Sequence, residues 1–306
     1  MRPRLTHECW GTPDGDFLEL DLCLAAPQRP HVLVLHGLEG SSQSGYVSEA
    51  MSCAAARGFG AVAMSFRGCG QLPNRHLRSY NSGDTTDARW VLNELRRRGI
   101  DGPLLGIGFS LGANMLLRLL GEDGERCELF AAAALCAPFD LSACMRALDG
   151  PGVWARIYRE RLLRPLKQKA LEKAQRFPGA LKARRIAAAR TLEAFDEAVT
   201  APLWGFSSAA EYYAKCSSGP LLPSIHRPTL LLSAADDPFI PASAFPGTST
   251  WAKHPFLAPL LTEAGGHVGH IAGSPLRPFF WAEAQALSFL TRTLQLLLLA
   301  HAGAAP

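Results

Sequence analysis

Gly108-Phe109-Ser110-Leu111-Gly112 directly follows the apolar run Pro103-Leu104-Leu105-Gly106-Ile107. The run reads as a buried strand, and the apolar spacing after it reads as a helix through Leu120. One serine therefore sits at a sharp strand-to-helix corner, the context that a G-x-S-x-G nucleophile needs. The corner holds Ser110 in a strained backbone conformation, so its flanks must lack bulk. Gly108 and Gly112 meet that demand, because neither carries a Cβ to strike the neighbouring strand or helix.

Further strands lie on either side of this corner. His31-Val32-Leu33-Val34-Leu35 is apolar throughout, as expected of a strand buried on both faces of a parallel sheet. Gly60–Ser65, Leu129–Leu135, Pro228–Ser233 and Phe256–Leu261 read the same way. Asp16–Leu24 alternates apolar and acidic residues, which predicts a strand with one solvated face. Helices are expected over Tyr46–Arg57, over Asp84–Arg98 with Asp84 as cap and Gly99 as stop, and over Phe279–Leu299. Strands alternating with helices of this length predict a mostly parallel central sheet with helices on both faces. The stretch 138–227 breaks the rhythm, looks helical, and is too long for a loop in a compact domain. It is expected to be an inserted helical cap on a core made of 1–137 and 228–306.

A serine hydroxyl needs a base to take its proton, and the base needs an acid to orient it. Proteins with this corner place the three in the chain order Ser, Asp or Glu, His. Asp236-Asp237-Pro238 follows the strand ending at Ser233, and Gly265-Gly266-His267 follows the strand ending near Leu261. Both groups fall beyond strand C-termini, the edge of an open α/β sheet where ligand sites form. His36-Gly37-Leu38-Glu39-Gly40 follows the strand His31–Leu35 at the same edge. The backbone N–H groups of Leu38 and Leu111 are the expected oxyanion donors.

The segments HGLEG (36–40), SFRGCGQLPNR (65–75), YNSGDTTDARWVL (80–92), GIGFSLGANML (106–116), SAADDPFIP (233–241) and GGHVGHI (265–271) together resemble the α/β-hydrolase fold. More narrowly, they resemble the YheT-like esterases of the AB hydrolase 4 family, whose eukaryotic relatives include membrane-associated lipid hydrolases. The resemblance covers about 31–290. It implies a serine hydrolase that cleaves carboxylic esters through an acyl-enzyme, with Ser110 as nucleophile, Asp237 as acid and His267 as base. Asp237 rather than its neighbour Asp236 matches the D-P-x-x-P spacing. His267 rather than His270 matches the Gly-Gly-His position, which leaves His270 as a partly exposed loop histidine. An acyltransferase on the same scaffold and a catalytically silent ligand-binding homologue are the alternatives.

Other polar residues at this edge have plainer readings. Arg67 is expected to pin its loop to Asp84 or Asp87, Cys69 to pack, Glu39 to anchor the oxyanion loop, and His36 to hold that loop. From Arg156 to Arg190 twelve Lys or Arg stand against Glu160 and Glu172, although the whole chain carries only +4. With Leu162, Leu163, Leu166, Leu171 and Phe177 interleaved, this cap reads first as a solvated helical face, the alternative being a cationic amphipathic surface that docks on an anionic membrane or attracts an acidic substrate. Neither overall charge nor a known module points to nucleic acid. The expected partner is a small-molecule ester with an apolar acyl chain. Eight scattered cysteines without a C-x-x-C, and no signal-like N-terminus or long apolar span, predict a cytoplasmic protein without disulfides. No metal or organic cofactor is expected.

Overall fold

The buried apolar runs form the centre of one sheet. The computed structural model describes residues 3–246, 251, 253–274 and 276–302. Strands β1 (Thr6–Gly11), β2 (Phe17–Cys23), β3 (His31–Leu35), β4 (Gly60–Ser65), β5 (Leu104–Phe109), β6 (Leu129–Leu135), β7 (Thr229–Ala234) and β8 (Leu257–Thr262) are ordered β1-β2-β4-β3-β5-β6-β7-β8. From β4 to β8 every pairing is parallel, while β1 and β2 join antiparallel at one edge.

Side chains alternate across this sheet and feed two apolar layers. Leu33, Leu35, Val62, Met64 and Leu104 face α2 (Thr86–Arg97) and α3 (Leu111–Asp123). Val32, Val34, Ala61, Leu105 and Ile107 face α1 (Gly45–Ala55), and Leu287, Leu290 and Leu294 of the C-terminal helix Trp281–Ala302 lie in the same layer. A strand sandwiched in this way has no polar face to spend, which explains the unbroken apolar runs. In α2, Ala88, Val91, Leu92 and Leu95 are all buried. Its N-cap position is Thr85 rather than Asp84, whose Oδ1 instead accepts from Thr86 N at 3.1 Å, and Gly99 closes the helix at φ +85°.

Between β6 and β7 come six helices: α4 (Leu141–Leu148), α5 (Val153–Arg176), α6 (Ala183–Ala188), α7 (Leu192–Ala198), α8 (Thr200–Trp204) and α9 (Ala209–Cys216). They carry a separate apolar cluster that includes Leu148, Leu163, Ile186, Leu192 and Phe195. A 3-10 turn, Gly219–Ser224, then returns the chain to the core, where Leu222 and Ile225 are fully buried. Among the described residues, no helix is long and apolar enough to cross a membrane.

Two further expectations are overturned. β2 has no solvated face: Glu19 and Asp21 are each 4% exposed. The Gly70–Leu72 turn covers Glu19, donating Gln71 N at 2.8 Å and Leu72 N at 2.9 Å to its carboxylate, and Ser42 Oγ donates to Asp21 at 2.7 Å. His270 is buried, not partly exposed; its ring stacks on Trp281, and burial lowers its pKa.

Candidate active site

Ser110 occupies φ +52°, ψ −117°, a conformation costly for a residue with a Cβ, and the surrounding backbone fixes it. Its N–H donates to Leu135 O at 2.8 Å and its carbonyl accepts from Asn114 N at 3.0 Å. The flanking glycines are obligatory. A Cβ on Gly108 would lie 2.5 Å from Gly112 O, and one on Gly112 would lie 2.5 Å from the carbonyl oxygens of Leu35 and His36.

The loop after β7 supplies both aspartates, and they do different work. Asp237 Oδ2 accepts from His267 Nδ1 at 2.8 Å, while its Oδ1 accepts from Phe239 N at 2.8 Å. Asp236 points away and accepts from Gly265 N and Gly266 N at 2.9 and 2.8 Å, fastening the histidine-bearing loop. On the other side of the imidazole, His267 Nε2 lies 2.8 Å from Ser110 Oγ. The Phe239 ring stacks on His267 at 4.2 Å between centroids, limiting its rotation. Ser110, His267 and Asp237 thus form one hydrogen-bonded line. His270 lies outside it, with Nε2 3.3 Å from Thr262 Oγ1.

The loop after β3 passes directly over the serine, since a Cβ on Gly37 would sit 3.3 Å from Ser110 Cβ. His36 braces it, donating through Nδ1 to Gly37 O at 2.7 Å and accepting from Phe66 N at 3.0 Å through Nε2. Complete burial pushes that imidazole down to about 4, so it remains neutral and keeps both bonds. The amides flanking Leu38 are occupied: Gly37 N donates to Tyr46 Oη at 3.0 Å and Glu39 N to Tyr80 Oη at 3.3 Å.

Glu39 anchors the loop as expected, but through partners the sequence did not single out. Tyr80 Oη donates to its Oε1 at 2.7 Å, and Lys169 of α5 lies 2.9 Å from its Oε2. Lys173, one turn on, is also buried and donates to Leu77 O and Arg78 O at 3.0 and 2.7 Å. Two members of the basic run are therefore turned inward. Nothing in their local sequence separates them from their exposed neighbours.

Arg67 is structural here. It pairs bidentately with Asp87 at 2.7 and 2.8 Å and reaches Asp14 at 2.8 Å, whereas Asp84 pairs with Arg78. Cys69 is buried, and burial pushes its thiol up to about 12, which makes it a packing group rather than a nucleophile.

A cavity of about 1030 Å³ opens onto Ser110 and His267. Its walls include Leu148, Leu162, Leu166 and Phe195 from between β6 and β7, and Leu38 and Tyr80 from the sheet edge.

Residues 30–274 match the α/β-hydrolase fold family. The chain is 38% identical over 288 residues to YheT of Escherichia coli K12, covering 92% of this chain and 84% of that one. It is 31% identical over 265 residues to the monoacylglycerol lipase of Saccharomyces cerevisiae, covering 84% of this chain and 57% of that one. An esterase of Pyrococcus furiosus superposes with a TM-score of 0.61 at 18% identity, over 94% of this chain and 91% of that one, a likeness that concerns the fold alone. By the match along its sheet and by its identity to YheT, the chain belongs to the α/β-hydrolase fold family, in the YheT-like group.

Proposed function

We propose that this protein is a carboxylic ester hydrolase that works through an acyl-enzyme at Ser110. His267 takes the hydroxyl proton as Ser Oγ attacks the ester carbonyl, then delivers it to the departing alcohol. Asp237 holds the imidazole in the required tautomer and stabilises its protonated form. The Leu38 and Leu111 N–H groups receive the tetrahedral oxyanion, each contributing a few kcal/mol in the transition state. A water deprotonated by His267 then releases the acid. The observation that carries this reading is the line Ser110–His267–Asp237, with both contacts at 2.8 Å.

The substrate we infer is an ester with an apolar acyl chain, held beneath a cap formed by 138–227 on a core of 1–137 and 228–306. The apolar walls of the cavity support that choice. At the start of α5, Val153, Trp154 and Ile157 are exposed among Arg156, Arg161 and Arg164, an arrangement that supports peripheral contact with an anionic bilayer.

A fluorophosphonate probe should label the wild type and leave Ser110→Ala unlabelled, and equal labelling of both would overturn the assignment. Asp237→Asn should lower kcat by on the order of 10³ or more.

A further inference from the structure

The hairpin β1–β2 places four potential ligand side chains on one face. By register His7 stands opposite Asp21, and Cys9 opposite Glu19. A ring nitrogen of His7, Cys9 Sγ and a carboxylate oxygen of Glu19 all lie within 4.8 Å of one another. His7 Nδ1 donates to Asp21 Oδ1 at 2.8 Å, which turns Nε2 toward Glu19 Oε2, 3.3 Å away. Both carboxylates are buried and braced, Asp21 by Ser42 Oγ and Glu19 by the Gln71 and Leu72 amides. His7 and Cys9 are exposed, so an ion can reach them. Beside them lies a hollow of about 110 Å³ lined by His7, Glu19, Ser41, Gln43 and Gln71, with room for coordinated water.

We propose that this face is a zinc-type divalent metal site, with His7 Nε2, Cys9 Sγ and a Glu19 oxygen as ligands. Asp21 stands behind the histidine. One nitrogen, one sulfur and one oxygen suit a tetrahedral, borderline-soft ion and not calcium or magnesium, which take oxygen shells. A carboxylate behind a ligating imidazole fixes the orientation and tautomer of the ring, which is the role Asp21 fills here. Bonds of about 2.0–2.3 Å put tetrahedral donors roughly 3.3–3.7 Å apart. The histidine–glutamate spacing already matches, and the exposed Cys9 side chain closes the remainder by rotating. Binding converts the Cys9 thiol to thiolate and releases its proton to solvent, so affinity falls with acid. The site lies on the outer hairpin and does not depend on the hydrolase reading.

The full-length protein titrated with cobalt(II) under reducing conditions should show a 1:1 near-ultraviolet thiolate-to-metal band with tetrahedral visible bands, all removed by one equivalent of zinc. Cys9→Ser should abolish the near-ultraviolet band, whereas Cys53→Ser should keep it. Asp21→Asn should weaken zinc binding about 10–100-fold. Because Asp21 is buried, Cys9→Ser, at an exposed position, remains the decisive variant. Absence of a 1:1 complex with the wild type at micromolar metal, or a band that survives Cys9→Ser, would overturn the proposal.

Discussion

Lys169→Met removes the cation that reaches from α5 to the loop over the serine. In the intact protein Lys169 Nζ lies 2.9 Å from Glu39 Oε2, with the glutamate side chain 6% exposed and the lysine 36%. Breaking one side of a fully buried ion pair costs about 3–5 kcal/mol, and an exposed pair is worth about 1 kcal/mol or less. Solvent reaches the lysine but not the carboxylate, so a cost of about 1.5 kcal/mol lies between the two limits. Glu39 sits at φ +56° directly after Leu38, and its carboxylate and amide both bond to Tyr80. A displaced Glu39 therefore moves the Leu38 N–H, which as the proposed oxyanion donor would act in the transition state. On a soluble short-chain ester, kcat should fall about tenfold with KM changed by less than about twofold. In a Glu39→Gln background the carboxylate charge is gone, and the same Lys169→Met change should cost much less. Wild-type kcat in Lys169→Met, or an equal loss in both backgrounds, would refute the coupling.

Other predictions rest on separate features. Gly112→Ala forces a Cβ to within 2.5 Å of two backbone carbonyl oxygens, and the variant should lose soluble expression or, if recovered, probe labelling. His36 has a folded pKa of about 4 against an ordinary 6.5. Between those values the unfolded chain binds the extra proton, so its contribution is fully present above about pH 6.5 and lost as pH falls. From this residue alone, unfolding free energy by urea titration should drop by about 2.5 kcal/mol between pH 8 and 4.5, and a flat profile would contradict the buried neutral ring. Trp154→Ala with Ile157→Ala should abolish sedimentation with anionic vesicles while leaving hydrolysis of a soluble ester intact. Equal, negligible sedimentation of the wild type with anionic and neutral vesicles would remove the membrane contact.

The sheet was legible because it is buried on both faces. His31–Leu35, Gly60–Ser65 and Leu129–Leu135 can satisfy neither water nor a one-sided core, so their composition alone assigns them to the centre. The corner at Ser110 was legible for a similar reason, since Gly108 and Gly112 answer steric demands set within a few residues. What escaped depended on distant coverage. Glu19 and Asp21 alternate like solvent-facing residues, yet a turn fifty residues downstream and Ser42 bury them. Thr6–Gly11 gives little strand signal because it is an edge strand paired with β2 alone. His270 looked partly exposed until Trp281 packed on it. Lys169 and Lys173 lie in a run of cations whose inward members are chosen by the rotation of α5 over the core, which no local pattern encodes.

The tandem aspartates after β7 have a mechanical consequence. One grips the peptide bonds of the segment that carries His267, and its neighbour grips the imidazole, so both bonds start from the same two-residue stub. The basic partner and its carboxylate consequently travel as one body, while the hydroxyl arrives on a different strand. Any jolt that spreads the sheet edge will lengthen the oxygen-to-imidazole gap before it disturbs the carboxylate-to-imidazole one, so mild stress should break the contact at Ser110 first.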